Sequence, residues 1–102
     1  MNINKYKVII LPNFKRELYK IFGDTLEYSK SKTVLTIITK KLEHLENMPY
    51  MYAIIENCDE LGRIYRKINV KSYIILYTIE EKTEHVYISH IFYKKSNYHN
   101  KL

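Results

Sequence analysis

The chain has 102 residues, 46% hydrophobic and 14% aromatic, with 2 Gly and 2 Pro; this suits one domain over residues 1–102 and excludes a two-domain cofactor enzyme and a disordered chain. Seventeen Lys and Arg against 11 Asp and Glu leave a formal charge of +6, so the expected partner is anionic: nucleic acid, a ribosome or an acidic protein. Cys58 stands alone, no Cys/His cluster offers a metal site, and neither a signal-peptide core nor a membrane-length apolar run occurs, which points to a reducing, cytoplasmic setting without membrane, metal or cofactor.

In chain order, Tyr6-Lys7-Val8-Ile9-Ile10-Leu11 is a β-branched apolar run stopped by Pro12 and predicts an opening strand. Asn13 is placed to cap a helix whose apolar positions are Phe14, Leu18, Ile21, Phe22 and Leu26, with Gly23 as a weak point. A second helix starts at Ser29 or Ser31, carries its seam on Leu35, Ile38, Leu42 and Leu45, and is ended by Pro49. The two make a helical hairpin. Residues 50–62 read as a connection with an extended piece at Ala53-Ile54-Ile55, closed by Gly62.

Three strand-like runs follow: Arg63 to Val70, Tyr73 to Ile79 and His85 to Tyr93, joined by Lys71-Ser72 and by Glu80 to Thr83. That is an antiparallel meander. Its middle run is apolar at both parities, as a central strand covered on both faces requires. The basic stretch Lys94 to Leu102 forms a last helical turn or a tail. The expected architecture is α+β: the first strand joins the meander in one sheet, and the hairpin packs on one face.

Charge is segregated along the chain. Residues 29–41 carry four Lys and no acid, residues 43–60 carry five acids and no Lys or Arg, and the balance turns positive again from Arg63 to Lys71. Two Gly cannot build a phosphate-binding loop, and no hydrolase signature stands out. Arg66 is the oddest residue, one guanidinium in the row Ile64, Arg66, Ile68, Val70. It is either an internal ion pair with a carboxylate such as Glu56 or Glu80, or a fork of donors aimed at a phosphate. His90 shares the parity of Val86, Ile88 and Phe92 and reads as a hydrogen-bonded core residue. RNA cleavage through the 2′-hydroxyl needs a base, cations for the developing phosphorane charge and an acid for the leaving oxygen. Tyr98, His99, Lys94, Lys95 and Arg66 can supply those roles together, with Lys67 nearby; the plain alternative is a solubilising basic tail.

The order of strand, hairpin, meander and basic aromatic end resembles the RelE/ParE superfamily of type II toxin–antitoxin toxins, the plasmid stabilisation proteins. The residues that carry the resemblance are Tyr6-Lys7-Val8-Ile9, Leu42-Glu43-His44-Leu45-Glu46-Asn47-Met48-Pro49, Tyr65-Arg66-Lys67-Ile68-Asn69-Val70, Tyr73 through Ile79, Val86-Tyr87-Ile88-Ser89-His90-Ile91, and Tyr93-Lys94-Lys95-Ser96-Asn97-Tyr98. The superfamily holds ribosome-dependent mRNA endonucleases and DNA gyrase inhibitors on one fold, so fold does not decide between them. The resemblance implies a toxin, with metal-independent mRNA cleavage on the ribosome as the first reading. Gyrase inhibition and a catalytically inactive basic binding protein are the alternatives. Arg66, Tyr98 and His99 then resemble the catalytic group, and Lys67, Lys94 and Lys95 the RNA-binding cations. The residue after Tyr73, an Arg in RelE, is Ile74 here. The implied partner is a cognate antitoxin whose acidic, partly disordered segment folds on binding.

Overall fold

In the computed structural model, which describes residues 5–23, 29–55 and 62–95, the chain runs β1 (Lys7–Ile10), α1 (Pro12–Phe22), α2 (Ser29–His44), β2 (Arg66–Val70), β3 (Tyr73–Glu80) and β4 (His85–Tyr93). The strands form one sheet in the order β1-β4-β3-β2. β2, β3 and β4 pair antiparallel, as expected of a meander, and β1 pairs parallel with β4, Lys7 opposite His85 through Ile10 opposite Ile88. Parallel neighbours cannot be joined by a tight turn, and here both helices, β2 and β3 lie between β1 and β4 in sequence.

One face of the sheet and the two helices share the main core. Phe14, Ile38 and Leu45 from the helical side bury against Ile68, Val70, Ile75, Tyr77, Val86, Ile88 and Ile91. A second cluster, Ile55, Tyr65, Ile74, Leu76 and Phe92, occupies the opposite face, so β3 is covered on both faces, as its unbroken apolar run requires.

Local chemistry sets the element ends. Pro12 is the first residue of α1, where its missing N–H costs nothing, and Leu11 stands at the cap with no side-chain bond. Asn13 is therefore inside the helix, and its amide is used elsewhere. Gly23 takes a left-handed φ of 48° and donates its N–H to the Tyr19 carbonyl, closing α1. Leu26 lies outside the described residues. α2 ends at His44, ahead of Pro49, in turns where Met48 N–H reaches the His44 carbonyl at 2.9 Å.

β2 begins at Arg66, three residues later than the sequence suggests, because its outer neighbour is the short extended piece around Ile54. Ile55 N–H bonds the Tyr65 carbonyl at 2.9 Å and Lys67 N–H bonds the Ala53 carbonyl at 3.0 Å. Ile64 consequently lies outside the strand and is exposed.

β4 carries a bulge. Leu76 pairs with His90 but Tyr77 pairs with Ile88, leaving Ser89 as the extra residue. The alternation changes phase there. Val86 and Ile88 face the helices, and after the bulge Ile91 does so too, while Phe92 joins the opposite cluster. His90 thus shares a face with Phe92 but not with Val86 and Ile88, which corrects the reading of those four residues as one row.

Candidate functional site

Arg66 opens β2 opposite Tyr77, and Tyr77 in turn lies opposite Ile88. Its Nη1 donates to the Tyr52 carbonyl at 2.6 Å and to the Tyr50 carbonyl at 3.2 Å, and its guanidinium carbon lies 5.2 Å from the centre of the Tyr50 ring. Among the described residues no carboxylate pairs with it, so the Glu80 ion pair is not formed; Glu56 lies outside them. Charge-assisted bonds to two loop carbonyls replace the expected pair. Arg66 lines a cleft of about 370 Å³ together with Ile54, Ile64, Ile79, Glu80, Glu81 and Lys82.

Tyr50 closes one side of that cleft. Its hydroxyl donates to Glu81 Oε1 at 2.5 Å and its ring meets Tyr6 edge-on, centroids 6.3 Å apart. The Glu81 bond pushes the Tyr50 phenol well above the ordinary tyrosine value, with Tyr6 adding to it. Below it, Tyr77 donates its hydroxyl hydrogen to the Pro49 carbonyl at 2.7 Å. Burial pushes its phenol up to about 12, against the opposing field of Arg66.

Lys67 sits on the other face of the sheet. It pairs with Leu76, which pairs with His90, so the three form one row across β2, β3 and β4. His90 is held in that row by stacking on Phe92, ring centres 5.2 Å apart, and by Tyr65 at 5.9 Å. Its Nδ1 lies 2.9 Å from Asn13 Nδ2 and 3.3 Å from Glu17 Oε1. The ring is hydrogen-bonded as expected, but it is half-buried at the margin of the apolar cluster and not a core residue. Ile74 is 6% exposed within the apolar cluster of this face.

Lys94 and Lys95 are exposed just past β4, and Lys94 N–H bonds the Ser72 carbonyl at 2.8 Å. That places them beside the β2–β3 turn. Val70 pairs with Tyr73, which pairs with Tyr93, so Arg66 lies four residues down β2 and two strands across from Tyr93. At ~3.3 Å per residue and ~4.8 Å per strand, the two backbones are roughly 16 Å apart. The structure therefore does not bring Arg66 together with Lys94 and Lys95, and it turns Arg66 and Lys67 to opposite faces. Tyr98 and His99 lie outside the described residues.

Sequence reasoning missed Tyr50 and Glu81, which have no motif and meet through folding alone. It also missed Glu17, whose place four residues after Asn13 on α1 was a usable signal. Among the described residues no group of His, Cys, Asp or Glu is arranged to hold a metal ion, and no helix is long and apolar enough to cross a membrane.

The sequence family described as the ParE toxin of the type II toxin–antitoxin system parDE matches residues 8–98. In fold the chain is similar to the toxin of the RelBE2 toxin–antitoxin complex from Mycobacterium tuberculosis, at 18% identity and a TM-score of 0.61 over 87% of this chain and 98% of that one. A mutant of the E. coli toxin RelE in the free state gives 18% identity and a TM-score of 0.62 over 95% and 92% of the two chains. The archaeal RelE–RelB complex from Pyrococcus horikoshii gives 13% identity and a TM-score of 0.54 over 89% and 97%. At these identities the likeness is one of fold. No curated protein matches the chain.

Proposed function

The chain belongs to the ParE toxin family of type II toxin–antitoxin systems, and from that premise we propose that it arrests growth by binding its target without cutting RNA, the target being DNA gyrase. The observation that carries this reading is the use made of Arg66. A nuclease of this fold needs cations gathered on one phosphate to stabilise the phosphorane charge. Arg66 spends Nη1 on the carbonyls of Tyr50 and Tyr52, on the helix side of the sheet. On the other face, position 74 is a buried isoleucine. An arginine whose Nη1 is taken up by loop carbonyls and an apolar residue at position 74 support binding over cleavage.

The second reading is ribosome-dependent, metal-independent mRNA cleavage. It has Tyr98 and His99 as acid and base, with Arg66 as the proposed phosphate-facing cation and Lys67, Lys94 and Lys95 as the RNA-binding ones. It is favoured by the exposure of Lys94 and Lys95, which lead directly into the segment holding that pair. In both readings the toxin is held inactive by a cognate antitoxin; relatives of this fold are known as toxin–antitoxin complexes, and a charge of +6 suits an acidic, partly disordered partner.

Induced expression without antitoxin tests the reading. The expected result is growth arrest with intact messages in primer extension and relaxed plasmid DNA. Cuts at codon positions in translated messages would transfer the assignment to the nuclease, and normal growth at good expression would leave an inactive binding protein.

A further inference from the structure

α1 begins where β1 stops. The last backbone bond between β1 and β4 is Leu11 N–H to the Ile88 carbonyl at 3.0 Å. Beyond it the same edge of β4 is met by side chains of α1. Asn13 Nδ2 donates to the Ser89 carbonyl at 3.1 Å, and Glu17 Oε1 accepts the Ile91 N–H at 3.1 Å. Two residues one helical turn apart thereby continue the ladder that the strand leaves unfinished. They do so at the bulge, where β4 most needs its edge groups satisfied.

His90 projects between them, and a single nitrogen faces both. Nδ1 is 2.9 Å from the Asn13 amide nitrogen and 3.3 Å from Glu17 Oε1. To accept from Asn13 it must carry a lone pair; to donate to Glu17 it must carry a proton. We infer that Asn13, Glu17 and His90 form a proton-controlled clasp between α1 and the β4 edge. With the ring neutral, Nδ1 accepts from Asn13. Uptake of a solvent proton by Nδ1 turns the ring into an imidazolium that donates to the Glu17 carboxylate, pins that carboxylate on the Ile91 amide and releases the Asn13 contact.

The surroundings leave Glu17 as the deciding charge among the described residues. From α1, Arg16 reaches only the Asn13 side-chain oxygen Oδ1, at 3.4 Å. Tyr65, ahead of β2, and Phe92, on β4, present rings to the imidazole. Lys67 belongs to the same row two strands away, with Leu76 between. Side-chain exposures of 15% for His90 and 19% for Glu17 shield the pair from bulk water without sealing it off from protons. The clasp is independent of which target the toxin acts on.

Amide hydrogen exchange of the whole chain, followed by NMR at about pH 5.5 and about pH 7.5 on either side of the ordinary imidazole range, tests the clasp. After correction for intrinsic exchange, the Ile91 amide is expected to open about two- to fivefold less often at the lower pH, while Ile75 in the central strand shows no change. Glu17→Gln is expected to keep the fold and abolish that difference. In the unmodified protein the ¹⁵N signal of His90 Nδ1 should pass from acceptor to donor over the same range, a readout that needs no variant. Equal protection of Ile91 at both pH values, a difference that persists in Glu17→Gln, or an Nδ1 that is already a donor at the higher pH would overturn the inference.

Discussion

The hydroxyl of Tyr77, on the central strand, donates to the carbonyl of Pro49 at 2.7 Å, and this one bond ties the loop after α2 to the middle of the sheet. Tyr77 is wholly buried, and its ring meets Tyr52 edge-on at 6.4 Å. Tyr52 and Tyr50 present their carbonyls to Arg66, so the tyrosine positions the segment that holds the arginine. Tyr77→Phe leaves the Pro49 carbonyl without its donor and is expected to cost about 1–3 kcal/mol. A urea midpoint lowered at constant slope is the expected signature.

The same phenol sets an alkaline limit. Burial raises it to about 12 in the folded chain, whereas an unfolded tyrosine titrates near ~10. The neutral form is therefore favoured by folding: its contribution is complete below about pH 10 and is lost as pH rises from there through the folded value. Stability should fall over that window, and Tyr77→Phe should flatten the fall. A tyrosine absorbance titration run alongside circular dichroism reads both.

Arg66 is predicted to act on stability. Arg66→Ala removes the donor from two carbonyls and the cation from the Tyr50 ring, and about 1–3 kcal/mol is expected to be lost. Arg66→Lys keeps the charge but not the planar fork and should recover part of the loss. Growth arrest per folded molecule should be unchanged in both. A fully stable Arg66→Ala protein that no longer arrests growth would return the residue to the target-binding surface.

Ser89 separates side-chain chemistry from register. Its hydroxyl makes only a 3.3 Å contact with the Leu76 carbonyl, so Ser89→Ala should cost no more than about 1 kcal/mol. Deleting Ser89 removes the bulge and makes Ile88 and His90 neighbours opposite Tyr77 and Leu76, so Ile91 stays on the core face and His90 on the other. The deletion variant is expected to keep a cooperative unfolding transition.

How far the fold could be read from the chain follows from which interactions are local. β4 runs from His85 to Tyr93 as the sequence indicated, and Ile38 buries as its helical spacing required, while Leu45 buries in the turn just past α2. The start of β2 was not legible, because it depends on where the distant Ala53–Ile55 piece pairs. Nor was the bulge, since Ser89 carries no signal that it is the extra residue and the phase of His90 depends on it. Arg66 stood out as a charge in an apolar row, yet its partners are main-chain carbonyls of a loop, which no side-chain pattern records. The nearness of Lys94 and Lys95 to the β2–β3 turn followed only from strand register.

The proposed gyrase inhibition is tested most directly by a supercoiling assay with purified gyrase, relaxed plasmid and ATP, with and without the purified chain. The predicted result is concentration-dependent loss of supercoiling, with a translated message left intact by the same preparation. Full gyrase activity at saturating toxin, together with cleavage of ribosome-bound message, would contradict it.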